Sequence, residues 1–272
     1  MASTFGVIDA VSSLFGSKSE GYYRILTASG RIKYLAFHPS KHALPDIRGE
    51  RLNIDTLPEG TWTIGNLVLK DGANKYTLGS ISETSLPSVQ HVWCARSIDY
   101  LQLGEPPYDQ NALQCAGNGP HVTVRCGHFG MDQVIAHLEW DPSSIYPIDH
   151  YTDIFFLIDG RGIGPKFLAH ITENNSRVIG YVVESVRGCY ATHADLEPCR
   201  AVLSRLHALG LVHGMLHSQS FIIAEDGRAM LHDFGTCFKS DDPNSFVDEM
   251  AGLEEALNQE AFPSQTLEPR AF

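Results

Sequence analysis

Positive charge is scarce in this chain: 20 lysines and arginines stand against 32 aspartates and glutamates in 272 residues, a formal net charge of −12. That balance argues against nucleic acid and anionic membrane surfaces as partners, since both recruit cationic proteins. No run approaches the ~18–20 consecutive apolar residues that a membrane span requires. The six cysteines, Cys94, Cys115, Cys126, Cys189, Cys199 and Cys237, include no C-x-x-C pair. They read as the reduced thiols of a cytoplasmic protein and not as a disulfide frame or zinc ribbon. The first 17 residues lack the basic region and long apolar core of a signal peptide. Neither a fixed-period repeat nor a low-complexity tract occurs.

A hydrophobic content of 43% is enough to bury a large core. The chain opens with a segment, 1–19, in which Phe5, Ile8, Val11 and Phe15 fall on one face of a short helix. Hairpin patterns follow, around Ala28-Ser29-Gly30 and around Asp71-Gly72-Ala73-Asn74. A Pro- and Gly-rich stretch, Gly104–Pro120, reads as the softest joint. A third hairpin runs from Val122–Phe129 into Gln133–Trp140. A helix is predicted over Pro147–Ile158, then a strand over Arg177–Val183 and a hinge at Glu184–Arg187. The helix Leu196–Leu209 carries a core stripe at Leu196, Cys199, Leu203 and Leu206, with Asp195 as its cap. Ser245 and Asp248 read as a capping box for a last helix whose apolar face is Phe246, Met250, Leu253 and Leu257.

The most informative stretch is Leu211–Gly235. Two apolar runs, Phe221–Ala224 and Ala229–Leu231, flank Glu225-Asp226-Gly227-Arg228, and Asp-Gly between β-prone runs signals a tight hairpin. A polar loop, His213–Ser220, precedes the hairpin, and Asp233-Phe234-Gly235 follows it. Loop, hairpin and Asp-bearing turn in this order resemble the active-site floor of protein-kinase-like and aminoglycoside-phosphotransferase-like proteins, above all a group of fungal kinase-like proteins. The likeness extends over roughly residues 120–260, through Gly162–Leu168, Arg177–Tyr181 and Leu206–Gly214. It implies an α+β, protein-kinase-like two-lobed fold. The β-rich N-terminal lobe with its extension would span 20–183, and a small, minimal helical C-terminal lobe would span 184–272.

The departures from that pattern decide the function it implies. Kinase-like loops read H-x-D-x-x-x-x-N, where Asp takes the substrate proton and Asn holds magnesium. Here His213 and Gly214 fit, but Met215 stands at the Asp position and Ser220 at the Asn position. No lysine occurs between Lys75 and Lys166, so the phosphate-positioning Lys is replaced by Val134 in one register; a second register offers Arg125. The helix Pro147–Ile158 contains no Glu, and Tyr151 falls near the expected acid. No G-x-G-x-x-G occurs in the first 130 residues. Only Asp233, at the metal-holding position of the D-F-G turn, survives.

Exchanging carboxylates for a thioether and a phenol turns an ionic pocket into one suited to an apolar guest. The implied protein is a kinase-fold member without phosphotransfer activity that binds an apolar small molecule and needs no cofactor. Asp233 and His217 form its acid–base pair, and Met215, Tyr151, Ser220, Arg125, Val134 and His213 line the site. By analogy with the fungal proteins, a natural-product cyclase or isomerase of pericyclic (Diels–Alder) type is the activity named. One alternative is a pseudokinase acting as a binding or regulatory module on a protein partner; another is an atypical phosphotransferase using Asp233 and Arg125. His213, His217, His232 and Asp233 could ligate a metal, but bracing of the loop by His213 is the stronger reading, and no metal is assigned.

Overall fold

The computed structural model describes residues 5–12, 21–38, 57–69, 76–103, 121–124, 129–130, 134–142 and 145–258. The chain is a mixed α+β protein with several small sheets and, among the described residues, three α-helices. It divides into two compact units, 1–87 with 141–143, and 88–140 with 144–272. The first boundary falls within the stretch 20–183.

The first unit holds one five-stranded sheet in sequential order. Its strands are β1 (Phe5–Ser12), β2 (Gly21–Thr27), β3 (Ile32–Phe37), β4 (Ile64–Leu69) and β5 (Tyr76–Ser82). All neighbours pair antiparallel except β3 and β4, which run parallel. Residues 5–12 of the N-terminal segment read as helical are thus a strand, and Phe15 lies outside the described residues. Val7, Ile8 and Val11 favour the extended backbone, and pairing with β2 supplies ladder bonds that a lone short helix would lack. Tyr23, Ile25, Leu35, Phe37, Leu57, Trp62, Leu67 and Tyr76 form the unit's core. Lys33 is buried there, donating to the Gly60 carbonyl at 2.6 Å with its ammonium 4.1 Å from the Trp62 ring centroid. Burial holds its pKa below the ordinary lysine value.

The second unit starts with β6 (Ser97–Asp99), β7 (His121–Val124), β8 (Val134–Leu138), helix α1 (Tyr146–Ile158), β9 (Phe167–Glu173) and β10 (Arg177–Glu184). These strands make a sheet in the order β6-β9-β10-β8-β7, with β6 and β9 parallel and the other pairs antiparallel. Next come β11 (Gly188–Tyr190), α2 (Leu196–His207), β12 (Leu211–Val212), the hairpin β13 (Phe221–Ala224) and β14 (Ala229–Leu231), β15 (Phe238–Lys239) and α3 (Pro243–Asn258). Strands β9 and β10 are buried along nearly their whole length, and α1 presents Ile148, Tyr151, Thr152, Ile154, Phe155 and Ile158 to the core. In α2, Cys199, Leu203 and Leu206 are buried as their spacing predicts. Among the described residues no helix is long and apolar enough to cross a membrane. The stretch Gly104–Pro120 and residue Arg125 lie outside the described residues.

One cap and one helix start differ from the sequence reading. Helix α2 starts at Leu196 with Asp195 at the position before it, but the Asp195 carboxylate makes no cap bond to the helix; it accepts from the Thr192 amide and hydroxyl at 2.9 and 2.8 Å. Helix α3 begins before Ser245, because Asp242 accepts from the Asn244 amide at 3.0 Å and Pro243 occupies the tolerant first position.

His170 on β9 is fully buried among aromatic rings, 5.0 Å from Phe167 and 6.2 Å from Trp93 by centroids. Its Nε2 accepts from the Cys94 amide at 3.3 Å, so the neutral ring carries its proton on Nδ1. Burial, reinforced by His91, lowers its pKa from the ordinary 6.5 to about 4. The unfolded chain therefore takes up this proton first, and stability is full above pH 6.5 and lost as pH falls toward about 4. The loss should reach about 3 kcal/mol, at ~1.4 kcal/mol per pH unit. Urea denaturation across that window should show it, and His170→Phe should flatten the slope.

Candidate functional site

The site forms where α1, the loop 213–220 and the turn after β14 meet in the second unit. Gly227, with φ +80°, closes the β13–β14 hairpin. After β14 the backbone turns through Asp233, whose φ of 57° and ψ of 60° place it in the left-handed region. Aspartate tolerates that region better than most residues, and the conformation aims its carboxylate away from the strand. There Tyr151 of α1 donates its hydroxyl to Asp233 Oδ1 at 3.0 Å. Burial first, then the charge and hydrogen bond of Asp233, raise the Tyr151 pKa well above the ordinary phenol value. The phenol therefore stays protonated and acts as a donor. Gly235 is needed beside it, because a Cβ there would lie 2.5 Å from the Tyr151 hydroxyl.

Helix α1 is held on its outer side by residues 88–93. The Gln90 amide donates to Asp149 at 2.6 Å, His91 Nδ1 meets Asp153 at 2.6 Å, and Trp93 Nε1 donates to the Thr152 carbonyl at 3.0 Å. The Val89 amide and Ser88 hydroxyl bond Val178 of β10. This strap sets the axial position of α1 and so delivers Tyr151 to Asp233.

The loop carries the other candidates. His213 is buried and braces from within: its Nε2 donates to the His232 carbonyl at 3.0 Å, leaving Nδ1 as an unprotonated acceptor. Burial lowers its pKa. Ser220 is also buried and spends its hydroxyl locally, donating to the Met215 carbonyl at 3.3 Å and accepting from the His217 amide at 3.2 Å. His217 is half-buried; desolvation lowers its pKa against the opposing charge of Asp233. The Met215 side chain stands 56% exposed. Val134 is 0% exposed and packs in the apolar core, in register with Glu184 of β10. Tyr151, Asp233 and His217 are thus brought together, whereas His213, Ser220 and Val134 serve the scaffold. Among the described residues no group of three or more His, Cys, Asp or Glu side chains is placed to hold a metal ion.

The loop also depends on a residue that sequence reasoning missed. Glu249 of α3 accepts from the His213 amide at 3.1 Å and the Gly214 amide at 2.7 Å, and His207 of α2 donates to it at 2.7 Å. Burial pushes this carboxyl up, but the three donors outweigh it and hold its pKa below the ordinary value. Gly214 makes the approach feasible: its φ is +89°, and a Cβ would lie 2.5 Å from the Thr236 carbonyl. A signal was present, since Glu249 sits beside Met250 within the stripe Phe246–Leu253, an acid where an apolar residue is expected.

Neither a known protein-family model nor a curated protein matches the chain in sequence.

Glu249→Ala should destabilise the protein by about 3 kcal/mol, because two loop amides and His207 lose a charged acceptor. Urea denaturation reads the loss, and hydrogen exchange should localise it to the His213 and Gly214 amides. Glu249→Gln should cost less, since its carbonyl still accepts.

Proposed function

We propose that the second unit is a kinase-like scaffold that does not transfer phosphate and that binds an apolar small molecule beside Asp233. The order of strands, helices, loop, hairpin and Asp-bearing turn supports the scaffold. One observation carries the functional reading: the carboxylate that would face a magnesium ion faces the protonated phenol of Tyr151 at 3.0 Å. A phenol brings no charge to nucleotide phosphates and cannot pair a lysine. In the register that sets Val134 at the position of that lysine, the residue is a fully buried valine.

The surroundings suit a greasy guest with few polar contacts, the usual form of a small-molecule site. Met215 offers an exposed, polarisable thioether, and Tyr151 and His217 offer hydrogen bonds close to Asp233. Such a site can fold or isomerise a substrate by proximity, orientation and fixed dipoles, without nucleotide or metal. A cyclase or isomerase of the pericyclic kind fits that requirement, since its reaction moves no group to or from the protein.

A second reading, a binding or regulatory module, draws on a different feature. An open groove of about 490 Å³ runs along α3, lined by Val212, Leu216, Phe238, Gly252 and Ala256, with Glu249 and Glu255 beside them. Its mixed polar and apolar lining and its acidic margin suit a protein segment with basic residues.

Thermal-shift measurements separate these readings. Mg-ATP should leave Tm unchanged, whereas a bound apolar metabolite at a hundredfold excess over its Kd should stabilise the fold by ~2.7 kcal/mol. Asp233→Asn and Tyr151→Phe should weaken that shift. Stabilisation by Mg-ATP, together with phosphate release abolished in Asp233→Ala, would overturn the proposal in favour of an atypical phosphotransferase.

A further inference from the structure

The groove along α3 is lined by a stripe that packing within the chain does not explain. Ser245, Glu249, Gly252 and Ala256 recur at i, i+4, i+7 and i+11, so they share one face of the helix. Phe238 of β15, 47% exposed, supplies the aromatic part of the lining. Gly252 lies in the interior of a 16-residue helix, where glycine costs stability relative to alanine. Its φ lies outside the left-handed region, and among the described residues nothing stands within 4 Å of a Cβ built there. Neither a turn nor a close contact inside the chain calls for glycine at this position. What it provides is a bare length of helix at the groove, where a second helix can approach more closely than a side chain would allow.

The charge along α3 has one sign. The helix carries Asp248, Glu249, Glu254 and Glu255 and has no lysine or arginine, and no cation is among the residues lining the groove. Glu249 is committed to the His213 and Gly214 amides and to His207, and His193 meets Glu254 at 3.2 Å. Asp248 and Glu255, both exposed, are the carboxylates left facing solvent. A cationic partner complements that arrangement, and an anionic one is repelled by it. The helix offers side chains and no open ladder of backbone groups, so the mode that fits is a helix in a groove and not an added strand. From Ser245 to Ala256 the lining runs ~16 Å, room for about three turns of a partner helix.

We infer that this groove takes an amphipathic helix of a protein partner, apolar on its inner face with lysines or arginines beside it, and that Gly252 is the point of closest approach. The assignment rests on the binding-module reading of the groove and names the partner's chemistry. It makes no use of Asp233 or Tyr151.

Fluorescence anisotropy on the full chain tests it with a short amphipathic helix of leucine and lysine and a counterpart of leucine and glutamate. The Leu/Lys helix should bind and the Leu/Glu helix should not. Gly252→Trp fills the groove from an exposed position and should weaken binding about tenfold or more. Glu255→Lys should weaken it about threefold. Gly252→Ala checks that the position is open: Tm should rise by about 2 °C, and a fall overturns the assignment because the Cβ then meets a neighbour. Weakening by Glu255→Lys but not by Gly252→Trp overturns docking at Gly252 and leaves the binding-module reading standing. Equal binding of the Leu/Glu helix, binding that neither variant changes, or no binding overturns both. Binding gained only when residues 259–272 are deleted makes the chain's own tail the occupant, and a dimer that Gly252→Trp dissolves makes it a second copy; either result overturns the assignment.

Discussion

The irregular loop 213–220 has no ladder of its own, and its backbone must find partners elsewhere. Glu249 supplies them: one carboxylate on α3 takes the His213 and Gly214 amides and is itself held by His207 of α2. The Thr236 hydroxyl closes the far side by donating to the His213 carbonyl at 2.9 Å. Two helices and the turn after β14 thus converge on one loop. A charged acceptor shared by three donors is stronger than neutral bonds of the same number, and it resists sliding. The positions of Met215 and His217 follow from this clamp.

A second constraint acts from the opposite side. The strap 88–93 seizes α1 through Asp149, Asp153 and the Thr152 carbonyl, and α1 presents Tyr151 to Asp233. Phe155 of the same helix meets Phe234 edge-on at 5.5 Å, so the turn is packed as well as hydrogen-bonded. Asp233 holds a left-handed conformation that the hydrogen bond and this packing stabilise together. The carboxylate is therefore preorganised toward a neutral donor. That preorganisation separates the proposed chemistry from phosphoryl transfer, where the same group would meet a cation.

Much of the second unit was legible in the chain because its signals are local. Asp226-Gly227 between Phe221–Ala224 and Ala229–Leu231 specifies a hairpin by turn chemistry alone, and β13 and β14 have those limits. The stripe of α2 follows from helical period, and Cys199, Leu203 and Leu206 of that stripe are buried, together with Val202 beside it. The N-terminal segment was misread because Phe5, Ile8, Val11 and Phe15 satisfy a helical period while Val7, Ile8 and Val11 also suit a strand. Pairing with β2 decided between them. The cap of α3 was misread for a related reason: Ser245 and Asp242 both fit a helix start, and the backbone chose the residue preceding proline.

The candidate site was legible in kind and not in role. The chain by itself showed which residue types stand at Val134, Tyr151, Met215, Ser220 and Asp233, since residue identity and spacing need no coordinates. It also marked Tyr151, Met215, His217 and Asp233 as residues of interest. Which of them touch was settled by tertiary structure: Tyr151 and Asp233 are 82 positions apart and become hydrogen-bonded partners because a helix and a hairpin turn pack together. The same holds for Glu249, whose partners are backbone amides 36 and 35 positions upstream. Local propensity and period are properties of a window of neighbouring residues. Hydrogen bonds to backbone and the burial of a polar atom depend on what the rest of the chain brings to that point in space, and no window contains that information.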